Sequence, residues 1–150
     1  GCTGLTSIEI PNSVTTIIGD CMFRGCTELT SIVIPNSVTR IGPFAFGGCA
    51  RLTSIKIPNS AYNIASGALD GCTGLTSIEI PTSVTFIGQN AFGGCTGITS
   101  IEIPTSVTKM GAEVFRQCAG LIAVEIPNSV TSLSISIFRS CVNLRFVVAP

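Results

Sequence analysis

The chain contains no histidine, and charged residues make up only 11% of its 150 residues. Without histidine, neither a Ser-His nor a Cys-His pair can activate a nucleophile. The sequence also lacks the phosphate-binding G-x-x-x-x-G-K-[ST] motif and the dinucleotide fingerprint. Eight basic residues balance eight acidic ones, so the charge gives no reason to expect nucleic acid or an anionic membrane as partner. We therefore predict a protein that is not an enzyme and that uses no cofactor.

Long hydrophobic runs are missing as well, although 45% of the residues are apolar. No run approaches the roughly 18 residues that a membrane span needs, which predicts no membrane insertion. The opening GCTGLTSIEI has neither the basic start nor the apolar centre of a signal peptide. Both ends fall inside a repeated unit, so we expect a section of a longer array whose targeting signals and end caps lie outside it.

What the sequence has instead is a fixed period. Six cysteines stand 23 residues apart and Cys2 precedes the first by 24; they are Cys26, Cys49, Cys72, Cys95, Cys118 and Cys141. A period in this range is the signature of a solenoid, in which each unit stacks on its neighbours. We divide the chain into six full units and a partial seventh, at 2–25, 26–48, 49–71, 72–94, 95–117, 118–140 and 141–150. The extra residue of the first unit lies within 14–18, where we expect a bulge or a widened turn.

Each unit repeats eight apolar columns, which we expect to face inward. In the fourth unit they are Cys72, Leu75, Ile78, Ile80, Val84, Ile87, Ala91 and Phe92. The alternation over 77–80 predicts a half-buried strand, which Pro81 ends because proline cannot donate to a ladder. A second short strand is expected over 83–87, and one turn of helix over 90–92, which the glycines at 93–94 stop. Stacked units would then form parallel sheets and side-chain ladders, one of them being Phe23, Phe46, Leu69, Phe92, Phe115 and Phe138.

The core pattern of the unit, L-x-x-I-x-I-P over 75–81, matches the leucine-rich-repeat theme L-x-x-L-x-L. With S-V-T-x-I-G-x-x-A-F-x-G-C attached, the unit resembles the BspA-like leucine-rich repeats of microbial surface proteins, and the resemblance covers the whole chain. It implies a right-handed, strand-dominated leucine-rich-repeat solenoid whose S-I-E-I strands line a concave sheet. It also implies a cell-surface or secreted protein that adheres to host proteins or to other cells.

Seven of the eight cysteines share one inward column, and Cys21 lies elsewhere. We interpret the column as a ladder of free thiols, because inward cysteines among apolar neighbours behave as small hydrophobes. Disulfides between units are the alternative, since stacked strands approach to about 5 Å, but parallel side chains do not offer the usual crossed S–S dihedral. A zinc site would rest on the C-x4-C spacing of Cys21 and Cys26 without any histidine, so we predict no metal.

Candidate partner-binding residues occupy the exposed columns of the first strand: Ser54, Lys56, Ser77, Glu79, Ser100, Glu102 and Glu125. We call the last carboxylates of this set, Glu79, Glu102 and Glu125, the acidic row, since they fall on three successive units. Like charges on neighbouring strands repel, so the row indicates a cation or a basic partner. The simpler interpretation is a solvated strip that keeps sheets from sticking together. Catalysis by paired carboxylates is disfavoured, because an open sheet offers no pocket to shift their pKa values.

These features favour a non-catalytic scaffold that binds a protein or a glycan through its strand face. The alternatives are a structural spacer whose function lies in flanking domains, and self-association through uncapped ends. The apolar residues Phe146 and Val148 stand where earlier units carry polar ones. They form a second candidate surface, unless a further repeat or a cap covers them.

Overall fold

A computed structural model describes residues 1–15, 19–134 and 136–148, which form a parallel β-solenoid. In chain order the strands are β1 (Ser7–Glu9), β2 (Ser31–Val33), β3 (Arg40–Ile41), β4 (Asn63–Ile64), β5 (Phe86–Ile87), β6 (Ser100–Glu102), β7 (Lys109–Met110), β8 (Ala123–Glu125) and β9 (Phe146–Val148). β3, β4, β5 and β7 are the second strands of their units and pair in that order, and the other strands are first strands. No helix in these described ranges is long and apolar enough to cross a membrane.

The strands pair in parallel with the register that the period predicts. Along the second strands Arg40 faces Asn63, Asn63 faces Phe86 and Phe86 faces Lys109, each pair being 23 residues apart. β1 and β2 instead pair at a separation of 24, Ser7 facing Ser31. The first unit therefore absorbs its extra residue between its first strand and the next unit. The predicted bulge itself falls mainly on residues 16–18, outside the described ranges.

The third side of each unit is a succession of tight turns, and the predicted turn of helix is wrong. Gly93 donates its amide three residues back, to the carbonyl of Asn90 at 2.9 Å, but Gly94 donates to Arg116 of the next unit at 2.7 Å. Asn90 has a φ of 54° and Gly94 a φ of 65°. A left-handed residue at every fourth position interrupts the right-handed run that a helix needs. Alternate amides consequently point along the solenoid and join neighbouring units.

One left-handed position offers a test of this turn geometry. Its column holds Gly25, Gly48, Gly71 and Gly94, with φ between 65° and 73°, and then Gln117 with a φ of 59°. We expect Gln117→Gly to raise the free energy of unfolding by about 0.5–1 kcal/mol, because glycine adopts this conformation without steric cost. Urea unfolding measures the change. Ala112→Gly in the same unit is the control and should destabilise; a loss of stability in both variants would contradict the turn geometry.

The core consists of ladders of equivalent side chains, as the columns predict. Neighbouring phenylalanine rings stack nearly parallel, with centroids 5.4 Å apart for Phe23 and Phe46, 5.8 Å for Phe92 and Phe115, and 5.7 Å for Phe115 and Phe138. Leu69 occupies the same column and is buried. The buried residues of all six full units form one continuous apolar cluster. No unit could bury these faces alone, so stacking is what stabilises the fold.

Serine hydroxyls form a polar ladder beside the prolines that follow the first strands. Ser60, Ser83, Ser106 and Ser129 each donate to a carbonyl of the preceding unit at 2.6–2.7 Å. Ser37 holds the same place in the second unit, but its buried Oγ has no partner among the described residues. The equivalent acceptor would be the carbonyl of Val14, in the unit that carries the extra residue. The insertion thus coincides with the loss of one hydrogen bond.

Candidate functional site

The first strands present one face to solvent, which we call the first-strand face. All seven predicted partner-binding residues are exposed on it: Ser54, Lys56, Ser77, Glu79, Ser100, Glu102 and Glu125. They alternate with buried isoleucine and valine residues, because successive side chains of a strand point to opposite faces. The fold therefore explains their exposure. Their role in binding stays a prediction.

The acidic row is assembled by strand register. Glu102 and Glu125 are direct neighbours on β6 and β8, and Glu79 stands opposite Lys56 of the preceding unit. Carboxylates that face one another on adjacent strands repel, and each gains from a cation placed between them. Electrostatically, the row is suited to a positively charged group.

The ion pairs of the described residues lie away from the acidic row. Arg51 contacts Glu28 at 2.6 Å, and Glu113 contacts Arg116 at 3.7 Å and Arg139 at 3.4 Å. These pairs are partly or largely exposed, so each contributes little to stability. The carboxylates of the row are left available for an external partner.

Shallow clefts flank the acidic row where the first strands end. One, of about 270 Å³, lies between the fourth and fifth units and is lined by Glu79, Thr82, Glu102 and Pro104 with Ile78 and Ile80. A wider one, of about 520 Å³, continues along Thr105, Glu125 and Pro127. Our sequence analysis missed the threonine and proline residues as parts of the face. Their signal was present, since they follow each glutamate at a fixed distance in every unit.

The second candidate surface is also exposed. Phe146 is 62% accessible and Val148 57%, and both lie on β9, the outer strand of the sheet formed by β6, β8 and β9. Ile122, another departure from the polar pattern, is exposed beside them. Nothing in the described residues covers this edge, so what packs on it stays a prediction.

The cysteines are free, as the column predicts. In units three to seven each column thiol donates to the carbonyl of a residue 26 positions earlier, with Sγ–O distances of 2.8–3.2 Å. Each thiol thereby links its unit to the preceding one. The column is not uniformly buried, however: Cys2 is exposed and Cys141 partly exposed, because a neighbouring unit covers only one side of each. Cys21 is exposed as well.

Burial makes the column thiols hard to ionise. It raises the pKa of Cys49 to about 11 and that of Cys118 to about 12, and adjacent thiols raise both values further. The pKa values of Cys72 and Cys95 are also raised, chiefly by burial. A thiol that stays protonated is a poor nucleophile and a poor metal ligand. The described residues contain no group of three or more His, Cys, Asp or Glu side chains arranged to hold a metal ion.

Several solved structures are similar to this fold. The leucine-rich repeat protein TpLRR of T. pallidum is 32% identical, with a TM-score of 0.91 over 95% of this chain and 68% of its own. A leucine-rich repeat protein from Bacteroides ovatus is 30% identical, with a TM-score of 0.79 over 96% of this chain and 45% of its own. A leucine rich cell surface protein from Faecalibacterium prausnitzii, 24% identical with a TM-score of 0.55, covers 97% of this chain with 60% of its own and supports the fold alone.

These chains are longer than the present one, which spans about two thirds of the first and less than half of the second. A search of curated proteins found no match. The family model of the BspA type leucine rich repeat region matches six times over residues 16–145. That range contains the strands, the cysteine column and the acidic row described above. The chain therefore belongs to the BspA-type leucine-rich repeat family.

Proposed function

We propose that this protein is a non-catalytic binding scaffold, exposed at the cell surface or secreted, that recognises a protein or a glycan through the first-strand face. The observation that carries the proposal is the acidic row, in which Glu102 and Glu125 face each other while their family fold needs only some exposed residue there. A stacked solenoid is rigid, so it presents such a row without losing much conformational entropy on binding.

The chemistry of the face favours a partner with basic groups and hydroxyl or amide groups. The carboxylates of Glu79, Glu102 and Glu125 would accept hydrogen bonds from ammonium or guanidinium groups. Ser77 and Ser100, on the neighbouring exposed column, would donate to carbonyl or sugar oxygens. Leucine-rich repeat proteins are generally of the binding or scaffold type, and one structural neighbour is described as a cell surface protein. Both points support the proposal without identifying the partner.

The test compares binding to arrays of extracellular proteins and of glycans before and after removal of the acidic row. We expect the substitution of Glu79, Glu102 and Glu125 by serine to leave folding intact and to weaken capture at least about tenfold, the loss of one or two charge-assisted contacts. The matched control replaces Asp20, Glu28 and Glu113 by serine, which changes the net charge equally but leaves the face untouched.

Three outcomes decide between the candidates. Loss of binding in the face variant alone supports recognition through the acidic row. An array component that binds the wild type and the face variant equally contradicts it. Arrays in which nothing binds the wild type favour the structural spacer, for which the constant register of 23 residues along the second strands is the supporting observation.

A further inference from the structure

The ladder of first strands is interrupted in the middle of the solenoid. It runs from β1 to β2 and continues as single pairings from Val33 to Lys56 and from Lys56 to Glu79. It resumes with β6, β8 and β9. Among the described residues, no pairing joins Glu79 to Glu102, its equivalent in the next unit. The fourth and fifth units are therefore apart on this side.

Hydrogen-bond lengths show the same opening from the N-terminal side. The amide of the threonine before each first strand donates to its equivalent one unit earlier, at 3.1 Å for Thr30, 3.3 Å for Thr53 and 3.5 Å for Thr76. Beyond the interruption the bond is short again, 2.8 Å from Ile122 to Thr99. The first-strand side thus loosens progressively toward the fourth unit and tightens after the fifth.

The other two sides of the same junction are closed. On the second-strand side, Thr108 donates to Thr85 at 3.0 Å and Gly111 donates to Ile87 at 2.8 Å. On the turn side, the bond from Gly94 into the fifth unit is 2.7 Å long, the same as at the preceding junctions. The two units are consequently joined along two edges and separated along the third, which is the arrangement of a hinge.

Side-chain burial responds to the opening. Ile32, Ile55, Ile101 and Val124 occupy one inward column and are between 2% and 7% accessible. Ile78, which lies in the same column and not at an end, is only partly buried. The cleft of about 270 Å³ described above lies at this point and has Ile78 in its wall. An apolar side chain that faces this cleft gains by burial whenever the junction closes.

The sequence departs from its repeat at this junction. The second inward column is leucine in every unit except the fifth, which has Ile98. The branched Cβ of isoleucine is stiff and crowds its own backbone. The turns that lead to it are stretched, at 3.3 Å from Cys95 to Phe92 and 3.4 Å from Ile98 to Cys95, against 3.1 Å for both equivalent bonds of the fourth unit.

We propose that Ile98 holds open a seam between the fourth and fifth units, about which the solenoid bends by opening and closing its first-strand side. The closed form restores the strand pairing and buries Ile78, and the open form relieves the crowding at Ile98. The proposal concerns the conformation of the solenoid, and it stands whether or not the first-strand face binds a partner.

Hydrogen exchange of the full chain, followed by mass spectrometry in reducing buffer, tests the seam. In a uniform solenoid the central units are the best protected, because the ends fray. We expect the reverse here: the segments 78–80 and 100–102 should exchange at least about tenfold faster than 123–125, since each interior ladder bond is worth about 1 kcal/mol. Equal or slower exchange at the centre would overturn the proposal.

Two volume-conserving variants test the role of Ile98. Ile98→Leu restores the repeat and should slow exchange of 78–80 and 100–102 about tenfold, to the rate of their neighbours. Leu121→Ile introduces the same branched residue one unit later and should accelerate exchange of 123–125. Fast central exchange that survives Ile98→Leu would overturn the assignment to Ile98.

Discussion

Replacing Phe92 by alanine is expected to lower the free energy of unfolding by about 3–5 kcal/mol, which is a large part of the stability of a domain of this size. The ring is fully buried and stacks on Phe115 at 5.8 Å. Its other neighbour in the column is Leu69, so the cavity left by alanine would separate two units in the middle of the core. Urea unfolding at neutral pH measures the loss.

Phe92→Leu is the matched control, because the column already accepts leucine at Leu69. It removes less volume and should cost less than about half of the alanine substitution. If Phe92→Ala cost under about 1 kcal/mol, the ladder would contribute much less than its burial implies. Equal losses for the two variants would instead mean that ring stacking, rather than filled volume, holds the units together.

Alkaline pH is expected to destabilise the protein by several kcal/mol through the thiol column. In the unfolded chain these thiols titrate near their ordinary pKa of 9.0, whereas burial raises that of Cys49 to about 11 and that of Cys118 to about 12. The folded state therefore holds protons that the unfolded state releases. The contribution of the thiols to stability is complete below about pH 9 and is lost as the pH rises through the folded-state values.

Each thiol that ionises only on unfolding lowers the free energy of unfolding by about 1.4 kcal/mol per pH unit. Urea midpoints between pH 8 and pH 10.5, in the presence of a reductant, should therefore fall steeply. Cys72→Ala is the control: it loses some stability at neutral pH, but its slope above pH 9 should be shallower by one thiol. A slope that is unchanged by Cys72→Ala would show that other groups cause the alkaline loss.

The inward columns could be predicted from the sequence because each is a physical row of contacts. An apolar residue that recurs every 23 positions meets its own counterpart, so Phe46, Leu69 and Phe92 had to lie above one another once the units stacked. The strands follow from the same argument, since alternation and a terminal proline define both the buried face and the end of the ladder. The free state of the cysteines followed from their place in such a column.

The turn side could not be predicted by the same reasoning. Asn90, Ala91 and Phe92 are compatible with a helical turn, and nothing in their spacing shows that Asn90 adopts a left-handed conformation. Glu113 and Phe44 share this conformation in other units, with φ of 56° and 49°, although neither residue favours it. The hydrogen bonds between units impose it, and such bonds become visible only when two units are placed together. Tertiary contacts overrode local preference.

For the first-strand face, exposure was predictable and function was not. Alternation shows that Glu79, Glu102 and Glu125 point outward, and the structure adds the register and the clefts beside them. The identity of a partner depends on affinity differences that a repeated pattern does not encode. The interruption at Ile98 was hidden for a different reason, since leucine and isoleucine are equivalent in any hydrophobic pattern and differ only in how their branching meets the backbone.

The unpartnered hydroxyl of Ser37 shows how such a protein changes length. A single inserted residue in the first unit deprives one serine of its acceptor, yet the strands before and after it pair in step. Out-of-phase insertions are thus tolerated at the corner beside Val14, at the expense of one contact. Whole duplicated units would sacrifice none, because every donor would find an identical acceptor in the copy beneath it. Gene duplication by complete repeats is accordingly the mutational path of least resistance for this chain.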